Sequence, residues 1–135
     1  MAILKNESLP VHSTADVVLV RRLTREWSTS MGFSLVDQTK LVTAASELAR
    51  NMVVHGGGSG TVMLEALNSE TRRGLRLTFE DSGPGIADIE LAMKDGQSSN
   101  GGLGLGLGGS RRLVNEFQIS SRPGEGTRVC ITRWK

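Results

Sequence analysis

Three stretches of this chain carry residue types whose spacing could do chemistry. In SELARNMVVHG, Glu47 and Asn51 lie four residues apart. On a helix both project from one side, about one residue step round from the stripe that carries Leu48 and Met52. A carboxylate can accept a hydroxyl proton, and an amide oxygen is a hard neutral donor suited to Mg2+, so the pair reads as a base beside a metal ligand. The same pair also reads as an ordinary i,i+4 contact on a solvated face. In FEDSGPGI, Asp81 ends an apolar strand pattern, and Gly83-Pro84-Gly85 turns the chain with no side chain standing above the backbone. Asp81 is either the capping residue of an everyday turn or an acceptor for an exocyclic amine such as that of adenine. Ionised, it can only accept, and so would reject a carbonyl in the same place.

The third stretch is SSNGGLGLGLGGSRRL, with six glycines among the nine residues from Gly101 to Gly109. Gly104, Gly106 and Gly109 match G-x-G-x-x-G, but DGQSSNG rather than a strand precedes them, which excludes the dinucleotide fingerprint. Ser110-Arg111-Arg112 follows Gly109, so the Gly-Lys-Ser/Thr ending of a P-loop is absent too. What survives is a glycine segment feeding a helix whose free N–H groups could cradle phosphate oxygens, with a flexible linker as the alternative.

These residues need elements to position them. The 135 residues, 38% hydrophobic and 22% charged, suffice for one globular domain spanning 1–135 and one core, too little for a eukaryotic-type protein kinase. Sixteen basic and fourteen acidic residues give a formal charge of only +2, spread along the chain, so no nucleic-acid partner is expected. One cysteine, Cys130, excludes an internal disulfide and fits a reducing compartment. Apolar runs such as VVLV are far below membrane-spanning length, and MAILKNESLP lacks a signal-peptide core, so the chain reads as cytoplasmic with no membrane partner.

Along the chain, ILKNESLPVHS is interrupted by Pro10 and predicts one or two short edge strands. Ser13 or Thr14 caps an amphipathic helix running through Met31 and stopping at Gly32. Leu41, Ala45, Leu48 and Met52 set the apolar face of a second helix over about residues 34–54. TVMLEAL and GLRLTFED predict an antiparallel pair. A short helix over about residues 86–93, the glycine tract, a helix through about Phe117 and the strands FQISS and TRVCITRW complete the order. Strands joined at hairpin length and interspersed with helices predict an α+β two-layer sandwich, with a mixed, mostly antiparallel sheet and helices on one face.

Glu47-x-x-x-Asn51, Asp81-x-Gly83-x-Gly85, Gly102-x-Gly104-x-Gly106 and GEGT at its Thr127 end occur in this order. Together they resemble the Bergerat ATP-binding fold of the GHKL superfamily, shared by gyrase B, MutL, heat-shock chaperone ATPases and histidine kinases. SELARN, EDSGPGI and GGLGLGLGG narrow the resemblance to the RsbT-type serine/threonine kinases of bacterial stressosome and sigma-factor partner-switching pathways.

The resemblance implies roles residue by residue. Asp81 would accept from the adenine amino group, Thr127 would assist by hydroxyl or water contact, and Gly83 and Gly85 would floor the base pocket. Asn51 would coordinate Mg2+ bridging the triphosphate of ATP. Glu47 would accept the proton of a substrate serine or threonine. Gly102, Gly104 and Gly106 would form the ATP lid. Arg21, 26 residues before Glu47, stands where similar anti-sigma kinases carry an arginine near the γ-phosphate, with Arg22 its competitor and a solvated helix residue the alternative. With only His12 and His55 and no dimerisation helix pair, histidine autophosphorylation is not expected. The implied partners are a STAS-domain antagonist as phosphoacceptor, a STAS-domain stressosome scaffold, and a PPM-class phosphatase or other output protein activated by binding; homodimerisation is left open. A second reading, of a different class, is a nucleotide-regulated anti-sigma-type binding module with little turnover.

Overall fold

The structure, a computed structural model, describes residues 1–94 and 106–135. The elements run β1 (Ala2–Val11), α1 (Thr14–Ser30), α2 (Leu35–His55), β2 (Gly60–Asn68), β3 (Arg73–Asp81), α3 (Ile89–Ala92), α4 (Gly106–Arg111), β4 (Glu116–Ser121) and β5 (Thr127–Trp134). The described strands form one sheet in the order β1-β2-β3-β5-β4, and each neighbouring pair is antiparallel.

Local chemistry explains the long elements. The Ser13 hydroxyl accepts the Asp16 amide and opens α1, and Ser34 does the same for Asp37 at the start of α2. Gly32, at φ +84°, turns the chain between the two helices. The predicted second-helix face is buried, with Leu41 and Ala45 wholly enclosed and Leu48 and Met52 nearly so. In the sheet, alternate positions Val62, Leu64, Leu75, Leu77, Phe79, Val129 and Ile131 turn to the helices. They form one core with Val17, Val20, Trp27, Leu41, Leu48 and Met52. Each large apolar side chain buried this way stabilises the fold by about 1.5–3 kcal/mol, which outweighs any single cap.

Three boundaries differ from the sequence expectation. The N-terminal segment is one strand that runs through Pro10, with a register irregularity between Ile3 and Lys5. Proline is tolerated there because β1 is an edge strand, where one side of the backbone has no ladder partner. The short helix shrinks to Ile89–Ala92, because the Ile86 amide is donated to Ser121 and Asp88 caps the turn at Leu91. The helix expected through Phe117 ends at Arg111. Phe117 instead pairs with Ile131 in the sheet, and the Asn115 amide already donates to the Thr132 carbonyl. Cross-strand pairing overrode helix propagation there. No helix among the described residues is long and apolar enough to cross a membrane.

Candidate functional site

The β3 pleat determines where Asp81 points. Leu75, Leu77 and Phe79 face the helices, so Asp81, two residues on, emerges on the same side at the strand's end. Register carries the row across the sheet: Asp81 pairs with Gly60 on β2 and Thr127 on β5, and Thr127 pairs with Ser121 on β4. A cavity of about 410 Å³ opens over this row. That lies within the ~300–1,000 Å³ usual for small-molecule sites. Phe79, Val129, Ile86 and Leu107 supply apolar wall, and Asp81 and Thr127 supply polar atoms. From α2 come Leu48, Asn51, Met52 and His55, and from the loop after β3 come Pro84 and Gly85.

That loop is held tightly. Asp81 Oδ1 accepts the Gly83 amide at 3.0 Å, closing an Asx turn. Gly83 lies against the backbone of Gly56, where a Cβ would come 2.5 Å from the Gly56 carbonyl carbon. Gly85, at φ +78°, abuts the Arg122 carbonyl, onto whose oxygen a Cβ would fall. The Gly124 amide donates to the Pro84 carbonyl at 2.6 Å, so the β4–β5 turn braces the loop from the far side.

The α2 pair is divided by burial. Asn51 is half-buried and lines the cavity, whereas Glu47 is 8% exposed and faces α4. One carboxylate oxygen of Glu47 accepts both the Arg50 guanidinium at 2.8 Å and the Gly106 amide at 3.2 Å. A solvated-face account therefore does not describe Glu47. Its two donors place it where the chain re-enters from the glycine tract, beside a cavity that Gly106 and Asn51 both line.

The cavity thus gathers Asp81, Thr127, Asn51, Gly85 and Gly106 of the residues singled out from sequence. Gly83 stands behind the wall, packed on Gly56, rather than in it. Arg21 is exposed on α1 and outside the lining, and its neighbour Arg22 approaches Glu26 at 3.8 Å on the surface. Gly102 and Gly104 lie outside the described residues. Sequence reasoning missed the walls Ile86, Leu107 and Val129, His55 at the end of α2, and Ser121. For Val129 and Ser121 the alternation along TRVCITRW and FQISS was the available signal. The others depend on long-range packing.

Among the described residues no group of three or more His, Cys, Asp or Glu gathers as a metal cage. The Asn51 amide on the cavity wall suits Mg2+ that keeps most of its ligands as water and phosphate oxygen.

Comparison with known proteins agrees with this geometry. Residues 36–135 match the family described as histidine kinase-, DNA gyrase B-, and HSP90-like ATPase. The serine/threonine-protein kinase RsbT of Bacillus subtilis (strain 168) is 44% identical over 119 residues, 88% of this chain and 89% of that protein. An anti-sigma F factor of Clostridium kluyveri is 32% identical over 74% of this chain and 72% of its own. Among solved structures, the RsbU and RsbW domains of a Mycobacterium tuberculosis protein superpose with TM-score 0.65 at 23% identity, covering 96% of this chain and 33% of that one. The catalytic domain of histidine kinase ThkA superposes at 0.55 and 18% identity, covering 94% and 95%. Both likenesses concern the fold.

Proposed function

This chain belongs to the family of histidine kinase-, DNA gyrase B-, and HSP90-like ATPases, and from that premise we propose how its site works. It is an ATP-binding serine/threonine-protein kinase of the partner-switching type. Its phosphoacceptor, in our reading, is a serine or threonine of a STAS-domain antagonist, held with a STAS-domain scaffold. Phosphorylation of the antagonist releases the kinase to bind and activate a PPM-class phosphatase or another output protein.

The observation that carries the reading is the row of Asp81 and Thr127 beneath an apolar-walled cavity. An ionised carboxylate accepts the exocyclic amine of adenine and offers nothing to a carbonyl. Phe79, Ile86, Leu107 and Val129 give the flat ring an apolar environment, and Gly85 leaves room at the loop. Asn51, further along α2, would hold Mg2+, which supplies neutralisation of the phosphate charge. Phosphoryl transfer asks for positioning and charge compensation more than covalent chemistry. Gly102, Gly104 and Gly106 would form the ATP lid, and Arg21 would be the arginine near the γ-phosphate. Glu47, adjoining Gly106, is the proposed acceptor of the substrate hydroxyl proton. Arg50 and Gly106 engage one carboxylate oxygen of Glu47, and the second oxygen is the one that would accept the substrate proton.

The test is transfer of γ-labelled phosphate from ATP with Mg2+ to the STAS-domain protein, comparing wild type, Glu47→Gln and Asp81→Asn. We expect Glu47→Gln to lower transfer by about 10²–10⁴-fold, the usual worth of a general base, while ATP still binds. Asp81→Asn should lose ATP affinity itself. Nucleotide binding with no transfer to any STAS partner would instead support the nucleotide-regulated binding module.

A further inference from the structure

Ser121 has no part in the function proposed above, yet its hydroxyl contacts both Ile86 and Thr127, which line the base end of the cavity. It is the last residue of β4, half-buried, and stands in the same cross-strand row as Thr127 and Asp81. The Ile86 amide donates to its Oγ at 2.8 Å. The Gly126 carbonyl lies 3.0 Å from the same oxygen, and Thr127 Oγ1 lies 2.8 Å from it.

A serine hydroxyl has one hydrogen to give and two lone pairs to receive. A carbonyl oxygen can only accept, so the hydrogen of Ser121 goes to Gly126. An amide can only donate, so Ile86 occupies one lone pair of Ser121. The remaining contact then has one polarity: Thr127 donates its hydroxyl hydrogen to Ser121. With its only hydrogen directed to β4, the Thr127 oxygen turns lone pairs alone toward the cavity. Asp81, its neighbour across the strand pair, is likewise an acceptor.

We propose that Ser121 is a specificity-determining residue that locks Thr127 as an acceptor, so that the base end of the cavity takes a ring with an exocyclic amine and refuses one with a carbonyl there. This rests on the reading that Asp81 and Thr127 face the base of the nucleotide. Ser121 acts through Thr127 and touches no substrate. Without it the Thr127 hydroxyl rotates freely and can donate to a carbonyl, so a guanine ring loses one of the two acceptors that oppose it. The selection belongs to three adjacent strands rather than to the loop glycines.

The experiment measures dissociation constants for ATP and GTP with Mg2+ on the full chain, for wild type, Ser121→Ala and Ser121→Thr. We expect wild type to favour ATP, Ser121→Ala to narrow the ATP-to-GTP ratio about fivefold, the worth of one oriented hydrogen bond, and Ser121→Thr to restore it. A purely structural role through the Ile86 contact would weaken both nucleotides by the same factor and leave the ratio as in wild type. An unchanged ratio in Ser121→Ala, whether or not both affinities fall, overturns the proposal. Should the alanine variant fail to give the wild-type circular dichroism spectrum, Ser121→Cys keeps a similar shape with a sulfur that accepts the Thr127 hydroxyl only weakly, and carries the same expectation. Asp81→Asn separates the two levels: if it leaves ATP affinity untouched, the base-pocket reading itself fails.

Discussion

The sheet has two ends, and they are held by different means. At the end where β3 stops at Asp81, backbone meets backbone: Gly83 against Gly56, Gly85 against the Arg122 carbonyl, and the Gly124 amide on Pro84. At the end where β5 stops at Trp134, side chains do the holding. Arg133 reaches Asp37 of α2 at 2.6 Å and the Leu113 carbonyl at 2.9 Å. The Trp134 ring covers Gly74 and receives the Arg72 guanidinium 4.4 Å from its centroid. The contacts of Gly83 and Gly85 leave no tolerance for a Cβ. Side-chain staples tolerate change and contribute stability in proportion. In the function proposed above, the first end serves the ligand and the second the fold.

The largest break in that contrast should come from Gly85→Ala. The new methyl would fall on the Arg122 carbonyl oxygen, and a left-handed backbone adds strain of about 1–3 kcal/mol. Displacing the loop should weaken ATP binding by about a hundredfold. Calorimetric titration would check this, and an affinity within threefold of wild type would show that the loop contact is dispensable.

Smaller and of opposite character is Asp37→Asn at the staple end, with an expected loss of about 1–2 kcal/mol in denaturant unfolding and unchanged ATP affinity. The pair also makes stability depend on pH. The hydrogen bond from Arg133 holds the Asp37 carboxyl below its ordinary value, although partial burial opposes this. A depressed carboxylate contributes fully above its unfolded-state value of about 4, and the contribution disappears as pH falls through the lower folded-state value. The gap in stability between wild type and Asp37→Asn, read from unfolding curves, should therefore narrow as pH falls below about 4. Parallel curves would remove the pair from the account.

Smallest of all should be Gly124→Ala. It too has a positive φ, +79°, but a Cβ there would meet nothing within 4 Å. Strain alone predicts about 1 kcal/mol of stability and little change in nucleotide binding. A loss of ATP affinity matching that of Gly85→Ala would mean that turn strain, rather than the close approach at Gly85, sets the behaviour of this end.

Much of this was legible in the chain because it is local. The cap at Ser13, read as Ser13 or Thr14, the stop at Gly32 and the period that carries Leu41, Ala45, Leu48 and Met52 all depend on neighbours within a turn or two. The alternation of β3 already put Asp81 on the core side, and the order of Glu47, Asn51, Asp81, Gly83 and Gly85 already resembled one ATPase family. Tertiary structure decided the rest. Glu47 is buried rather than solvated because Gly106, 59 residues on, donates to it, and no helical period encodes that contact. The segment before Phe117 has local helix character, but pairing with β5 claims Phe117 for the sheet. Gly83 and Gly85 could be recognised as turn residues, yet only the packing of Gly56 and Arg122 against them shows why a side chain is excluded. Periodicity reports which face of an element is apolar. Register between distant strands determines which polar atoms meet, and here it aligned Asp81, Thr127 and Ser121.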